Sequence, residues 1–444
     1  MSKTFVVVGA GLPGIAASLA LANAGREVVL IDSAPEIGGL LRSYEVDGFA
    51  FDYGTHFANR TGIADLDELL FGSIEGEWLE FPVLRAGNVW NGTINSISDN
   101  PDLNSLGPER HDRCLAELLA APGWRGQREP DNAREFLTAE YGPALVAGFF
   151  DPVLKKFTGR FPESLHHRAN LLFNLKRFAV LDASATRELK CSERFDGRVA
   201  YHHRDHFEGH RPCLYPSRGG IGRWIEQLER KLRSAGVRIL TGARIERIVT
   251  SDGKVTELTV DGSSLPIVTL LWSVAPAIFS RMAGIELPSV RPAIRSTVLA
   301  GIECNRPFQS DCHYLTVFDP DFAAFRVTLY QNFRSNSDRR FGATIEFMVD
   351  PDEVRARDWP KLAEAELLRM GLINSDTKVL TRHEKIVVNG FPVLTNESVA
   401  ALASQSSGVQ RYSNVRLLGR AAGEGWFLDG LIRSAHEIAL ETAR

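Results

Sequence analysis

Cysteine is scarce in this chain and shows no pairing pattern. Five thiols among 444 residues, at positions 114, 191, 213, 304 and 312, form no C-x-x-C pair. That excludes a disulfide framework and the usual zinc-ligand spacing, and it predicts a reducing, cytoplasmic setting. Long apolar runs are absent as well: no stretch reaches 18 residues, so no transmembrane helix is expected. The opening Met-Ser-Lys passes straight into a short apolar run broken by Gly9, too short for a signal-peptide core. Neither charge sign dominates, with 51 Lys and Arg against 55 Asp and Glu and a net charge of -4. No overall field favours nucleic acid or an anionic membrane, so any anion site must be local. There is no G-x-S-x-G and no P-loop lysine, so hydrolase and nucleoside-triphosphatase readings have no support, and no repeat or low-complexity tract occurs. With 44% hydrophobic and 24% charged residues, the chain is composed like a soluble globular protein long enough for two domains, or for one interrupted by another.

What is present begins at the N-terminus. "TFVVVGAG" is a β-branched run ending in glycine, as expected of a strand buried on both faces. "GIAASLALANAG" follows with small and apolar residues at helical spacing, and "REVVLID" supplies a second buried strand. In this βαβ unit Gly9 permits a tight turn, Gly11 lets backbone approach a pyrophosphate, and Gly14 allows close packing of helix on strand. Asp32 ends the second strand 18 positions after Gly14, where a carboxylate accepts hydrogen bonds from a ribose diol. A glycine-rich turn alone occurs in any α/β protein; here strand, glycines, helix, strand and acid occur in order, which points to a dinucleotide.

The next segment, "PEIGGLLRS", places Gly38, Gly39 and Arg42 where further backbone N–H groups and a guanidinium could meet the same phosphates. A nicotinamide site does not need this addition, and a second full G-x-G-x-x-G unit is missing. At the far end "NVRLLGRAAGEGWFLDGLIRSA" returns to a buried strand, a glycine-dense turn and a helix beginning near Leu428. A chain that leaves a nucleotide domain, builds a substrate domain and returns explains this second turn. FAD is long, and its isoalloxazine end needs walls beyond the first βαβ unit; Gly423 and Gly425 can bring backbone close, and the helix can direct N–H groups at the electron-rich end of the ring. The predicted fold is therefore α/β: a discontinuous Rossmann-like FAD-binding domain (1–60, 215–285 and 390–444) with an inserted mixed α+β substrate domain (61–214 and 286–389), the latter with a helical part and an antiparallel sheet.

Taken together, "VVVGAGLPGIAASLALANAG", "LIDSAPEIGGLLRS", "YPSRGGIGRWIEQL", "LWSVAPA" and the C-terminal run resemble the FAD-dependent superfamily of amine oxidases, protoporphyrinogen oxidase and UDP-galactopyranose mutase. The resemblance implies a cofactor-binding set of Gly9, Gly11, Gly14, Asp32, Gly38, Gly39, Arg42, Gly54, Gly419, Arg420, Gly425, Trp426 and Leu428. "GFAFDYGTHFANRT" is similar to the mutase segment that places a Tyr-Gly-x-His at the flavin, here Tyr53, Gly54 and His56, and "AGFFDPVLKKFTGRFPESL" is similar to the segment before their active-site cover. The mutases' C-terminal aromatic and acidic run is matched only in part, by Trp426, Phe427 and Asp429. No cysteine follows 312, so a cysteinyl tether at the C-terminal motif is excluded and the FAD is expected to be noncovalent.

His56 is the candidate for steering charge or protonation at the flavin. Arginine forks suit an anionic small-molecule substrate or a nucleotide sugar. Among Arg160, Arg177, Arg218, Arg326 and Arg382, the strand residue Arg326 stands out, with Tyr314 and Tyr330 as partners. The run "YHHRDHFEGHRP" contains His202, His203, His206 and His210, but Gly209 and Pro212 predict a loop. No metal site is assigned there; His203, Arg204 or Arg211 could touch an anionic substrate. The leading expectation is an oxidoreductase passing hydride from a small molecule to flavin. The alternative is a mutase-like isomerase of a nucleotide sugar with no net redox change, in which reduced flavin is the nucleophile. A non-enzymatic flavin-binding escort is a third class.

Overall fold

The computed structural model describes residues 4–72, 77–126, 128–286, 290, 293–334, 340–423 and 428–444; Gly425 and Trp426 lie outside them. The chain divides into two compact units, one formed by Met1–Glu80, Pro212–Val290 and Val399–Arg444, the other by Phe81–Arg211 and Arg291–Ser398.

The first unit is built on a five-stranded parallel sheet. Its order is Arg238–Leu240, Glu27–Ile31, Thr4–Val8, Thr269–Trp272 and Val415–Leu417. In register, Val8 sits between Ile31 and Trp272, so the strands end together. Alternation along each strand divides the side chains between two faces. Val6, Val8, Val29, Ile31, Leu270 and Trp272 join a core with the three-stranded meander Ile245–Ser251, Lys254–Val260 and Ser263–Pro266. Phe5, Val7, Val28 and Leu30 are buried on the other face, where the glycine-turn helix Leu12–Asn23 packs. Burial on both faces explains why these strands read as continuous apolar runs. The C-terminal helix Leu428–Ala443 packs on the glycine-turn helix, so the two ends of the chain meet within one unit.

The predicted boundary at 60 cuts this unit short. Residues beyond it are held by the helix Ala64–Phe71, where Phe71 stacks on Trp224 (ring centroids 5.2 Å apart) and Lys231 donates to Leu69 O at 2.7 Å. At the other end the second unit runs to 398, because the strand Val379–Pro392 pairs along Ile294–Cys304.

That pairing belongs to a seven-stranded sheet, ordered 379–392, 294–304, 341–349, 326–329, 314–317, 86–90 and 93–95. The expectation of an antiparallel sheet needs a correction: Tyr314–Val317 and Ala86–Trp90 run parallel. One face packs on the helix Trp359–Arg369 through Trp359, Ala363 and Leu367. The helical part includes Pro108–Ala120, Ala133–Tyr141 and Asp151–Thr158. "EFLTAEYGPALVAGFF" is not one helix: Gly142 takes φ +83, Pro143 restarts the chain, and Val146–Phe150 forms a π turn. No described helix is long and apolar enough to cross a membrane.

Candidate cofactor site

The glycines of the first unit are required by geometry. Gly9 sits at φ +98, and a Cβ there would meet Ser273 Oγ at 2.2 Å. A Cβ on Gly14 would lie 1.9 Å from Gly9 O, so the helix can start this close to the first strand only without a side chain. Gly11 differs: its Cβ direction is open, with Pro13 Cδ nearest at 3.9 Å, and no side chain caps the helix that it begins. An uncapped N-terminus carries unsatisfied N–H groups and the positive end of the helix dipole, the environment that a pyrophosphate takes.

Asp32 anchors the turn from the second strand. Its two carboxylate oxygens accept from Ala10 N (2.6 Å) and Ala34 N (2.8 Å), and each retains lone-pair capacity for a ribose hydroxyl. Beside it a cavity of about 410 Å³ is lined by Gly9, Asp32, Ala243, Ile245, Trp272 and Met282, at the carboxyl ends of the parallel strands. This is where open α/β sheets bind nucleotides. The residues present therefore fit the adenosine half of a dinucleotide.

Gly38 (φ +104) and Gly39 (φ +60) cross this turn, with Gly38 N donating to Ala10 O at 2.7 Å. Arg42 is bound locally: its Nε donates to Gly39 O at 2.8 Å, its Nη1 lies 3.5 Å from Glu36, and its guanidinium sits over the Tyr53 ring. It therefore braces the glycine pair, and a role at a phosphate would be additional. Gly54 takes φ +111 and His56 is half-buried, in the turn between Phe49–Asp52 and Ala58–Asn59. Gly419 (φ +60) closes on the start of the glycine-turn helix, its Cβ position 3.3 Å from Pro13 Cγ. Arg420 follows, and desolvation lowers its pKa. Leu428 opens the C-terminal helix and is half-buried.

Two parts of this unit escaped sequence reasoning. Asp52, 1% exposed, accepts from Ile221 N (3.1 Å), Ser43 Oγ (2.7 Å) and Tyr215 Oη, and Gly222 N donates to Ser43 Oγ at 2.8 Å. This network fixes "YPSRGGIGRW" against the glycine-pair segment; an acid ending "FAFD" was the available signal. The wall at 243–246 had none: it is the start of the first meander strand, held beside the cavity by Ala243 N donating to Asp32 O at 3.1 Å.

In the second unit, Arg326 is committed to Glu346 by two hydrogen bonds, Nε to Oε1 at 2.7 Å and Nη2 to Oε2 at 2.9 Å. Arg382 pairs with Glu364. His202 Nδ1 lies 2.8 Å from Asp102, and His210 Nε2 donates to Arg204 O at 2.7 Å, in a loop with one 3-10 turn. A separate cavity of about 250 Å³ is lined by Asp99, Arg177, Lys190, Tyr201, Arg204 and Tyr314, among others. Burial pushes the Asp99 carboxyl up despite Arg204, His210 and Arg177 nearby. Lys190 is paired with Asp196 and Arg204 donates to backbone carbonyls. Among the described residues the Arg177 fork donates through Nε alone, to Asp196 O at 3.1 Å.

Residues 7–67 match the model of an NAD(P)-binding Rossmann-like domain. A 4,4'-diapolycopene oxygenase of Methylomonas sp. is 25% identical over 434 residues, covering 86% of this chain and 84% of that protein. The mitochondrial protoporphyrinogen oxidase of Nicotiana tabacum is 28% identical over 42% of this chain and 39% of its own length. In sequence the chain is thus similar to oxidases and oxygenases. Against other curated relatives it spans 40% to 53% of their length. A likeness of fold extends over the whole chain: a reduced UDP-galactopyranose mutase superposes with a TM-score of 0.77 at 17% identity, covering 100% of this chain and 95% of the other.

Proposed function

We propose that this chain is a FAD-dependent oxidoreductase that holds its cofactor noncovalently in the first unit and acts on a polar small molecule. The observation that carries the reading is the cradle around Gly11, with an open Cβ direction, an uncapped helix start and Asp32 beside a nucleotide-sized cavity. The residues that would hold FAD are Gly9, Gly11 and Gly14 at the pyrophosphate, Asp32 at the ribose, and Gly39, Gly54, Gly419 and Leu428 along its length. Bound FAD supplies a two-electron acceptor, which no side chain of the chain can provide. The task left to the protein is to orient the substrate and exclude water. His56, half-buried two residues after Gly54, is our candidate for holding a proton near the reacting groups. The charged cavity of the second unit suits an anionic substrate better than a hydrocarbon.

Two experiments test this reading. Purified protein should carry a yellow chromophore that acid precipitation releases intact as FAD; a colourless protein that takes up no FAD would overturn the cofactor assignment. Anaerobic addition of substrate should then bleach the oxidised spectrum.

The mutase-like alternative draws its support from the anionic preference of the Arg177 cavity. It predicts that UDP-galactopyranose gives the furanose isomer only with chemically reduced protein and with no oxidant consumed. Bleaching by an oxidisable substrate with no isomer formed would dismiss it. FAD bound tightly, with no substrate changing its spectrum and no isomer, would leave the escort role.

A further inference from the structure

His166 and His167 follow one another in the second unit, in a turn held by backbone hydrogen bonds. Ala133 N donates to Leu165 O, and His166 N to Leu394 O, each at 2.8 Å. Both imidazoles are buried, 9% and 8% exposed, with ring centroids 4.1 Å apart. Glu129 completes a cluster in which one ligand atom from each residue lies within 4.8 Å of the others. No ligand spacing in the sequence flags it, because the glutamate precedes the pair by 37 residues in a different loop.

An independent observation points to a ligand. His167 Nδ1 is buried and has no hydrogen-bond partner among the described residues. An orphaned buried nitrogen costs about 1–3 kcal/mol, a deficit that a bound ion removes. His166 Nδ1 accepts from Arg168 N at 3.2 Å, which leaves Nε2 as its coordinating atom. The Glu129 side chain is exposed and makes no hydrogen bond or ion pair among the described residues, so it can move the short distance to ligand spacing, roughly 3.3 Å between donors around a tetrahedral zinc.

We infer that Glu129, His166 and His167 form a site for one divalent transition-metal ion of the zinc class, with water completing the coordination. Two imidazoles and one carboxylate suit zinc or a neighbouring first-row ion, whereas calcium and magnesium take oxygen ligands. Its effect would be to clip the loop preceding the helix Ala133–Tyr141 to the 166–167 turn.

The test uses the full-length protein stripped with chelator and titrated with zinc chloride by calorimetry, with FAD content monitored separately. One equivalent should bind, with a rise in melting temperature, and magnesium should give neither. Glu129→Gln, at an exposed position that cannot unfold the chain, should weaken binding at least tenfold, and His167→Ala should abolish it. The double variant His203→Ala/His206→Ala should bind as the parent does. No stoichiometric zinc uptake, equal uptake by Glu129→Gln and His167→Ala, or loss in the 203/206 variant would each overturn the assignment. None of these outcomes depends on flavin chemistry, so they stand apart from the proposed activity.

Discussion

In the first unit the candidate site is made of backbone: Gly9, Gly11 and Gly14 give close approach, and one carboxylate holds the turn. The second unit's candidate cavity is made of side chains, Asp99, Arg177, Lys190, Arg204 and Tyr314, drawn from positions up to 215 residues apart. A backbone cradle needs glycine at fixed offsets, so its chemistry is tied to a short motif and to one kind of ligand. A side-chain cavity places no such demand on local sequence and can change its ligand by substitution at single positions. The comparison predicts a hierarchy of effects.

The largest loss of cofactor should come from Gly14→Val. Its Cβ would fall 1.9 Å from the Gly9 carbonyl oxygen, so helix and strand must separate. Overpacking of this kind costs about 1–3 kcal/mol or more, and here the strain falls on the turn proposed to cradle phosphate. FAD content after gel filtration should fall close to zero while circular dichroism shows a folded chain. Retention of full FAD content would show that the glycine turn is not the cofactor cradle.

Arg326→Ala should come next, as a change in stability. Removing the guanidinium leaves Glu346, 4% exposed, without its bidentate cation, and breaking such a buried pair costs about 3–5 kcal/mol. The urea midpoint should drop with FAD content retained, and Arg326→Ala/Glu346→Ala should recover part of the loss. If stability holds and only KM rises, Arg326 is a substrate ligand after all.

The same contrast explains what could be read beforehand. The βαβ order and the return to a parallel strand near 415 both rest on local patterns of apolar period and glycine placement. Arg326 was rightly placed on a strand, but its partner lies on the neighbouring strand 20 residues away, and nothing local distinguishes a paired guanidinium from one awaiting a ligand. Asp52 and the wall at 243–246 were missed for a related reason: their roles come from strands that meet only in the folded unit. The π turn at 146–150 was also hidden, since a helix and a π bulge share the same apolar spacing.

Asp32→Ala should act on the cofactor with less force than Gly14→Val. It removes two charge-assisted hydrogen bonds from the turn and the proposed acceptor for the ribose, and each such bond is worth about 1.5–3 kcal/mol. FAD should bind ten- to a hundredfold more weakly by fluorescence titration. Unchanged affinity would move the ribose contact elsewhere. In the second unit Arg177→Ala should raise KM for an anionic substrate about tenfold, the worth of one charged hydrogen bond, and leave FAD content untouched. An unchanged KM would separate the cavity from the substrate.

The smallest effect concerns pH, and it again sets the two units apart. His313, 1% exposed beneath the Phe81 and Phe333 rings, has its pKa lowered from 6.5 to about 4, first by burial and then by Arg85 and Arg204, with Asp311 opposing. A histidine whose folded pKa is depressed contributes stability that is fully present above its unfolded value, because both states are then neutral. As pH falls below about 6.5 the unfolded chain gains a proton that the folded one refuses, and stability declines until His313 is protonated near 4. The second unit should therefore lose stability between pH 6.5 and 4, and His313→Gln should make that loss smaller. Calorimetry of parent and variant across the range measures the difference. Parallel profiles would mean that the imidazole is hydrated enough to titrate normally, and that the cavity beside Tyr314 is wetter than its packed rings imply.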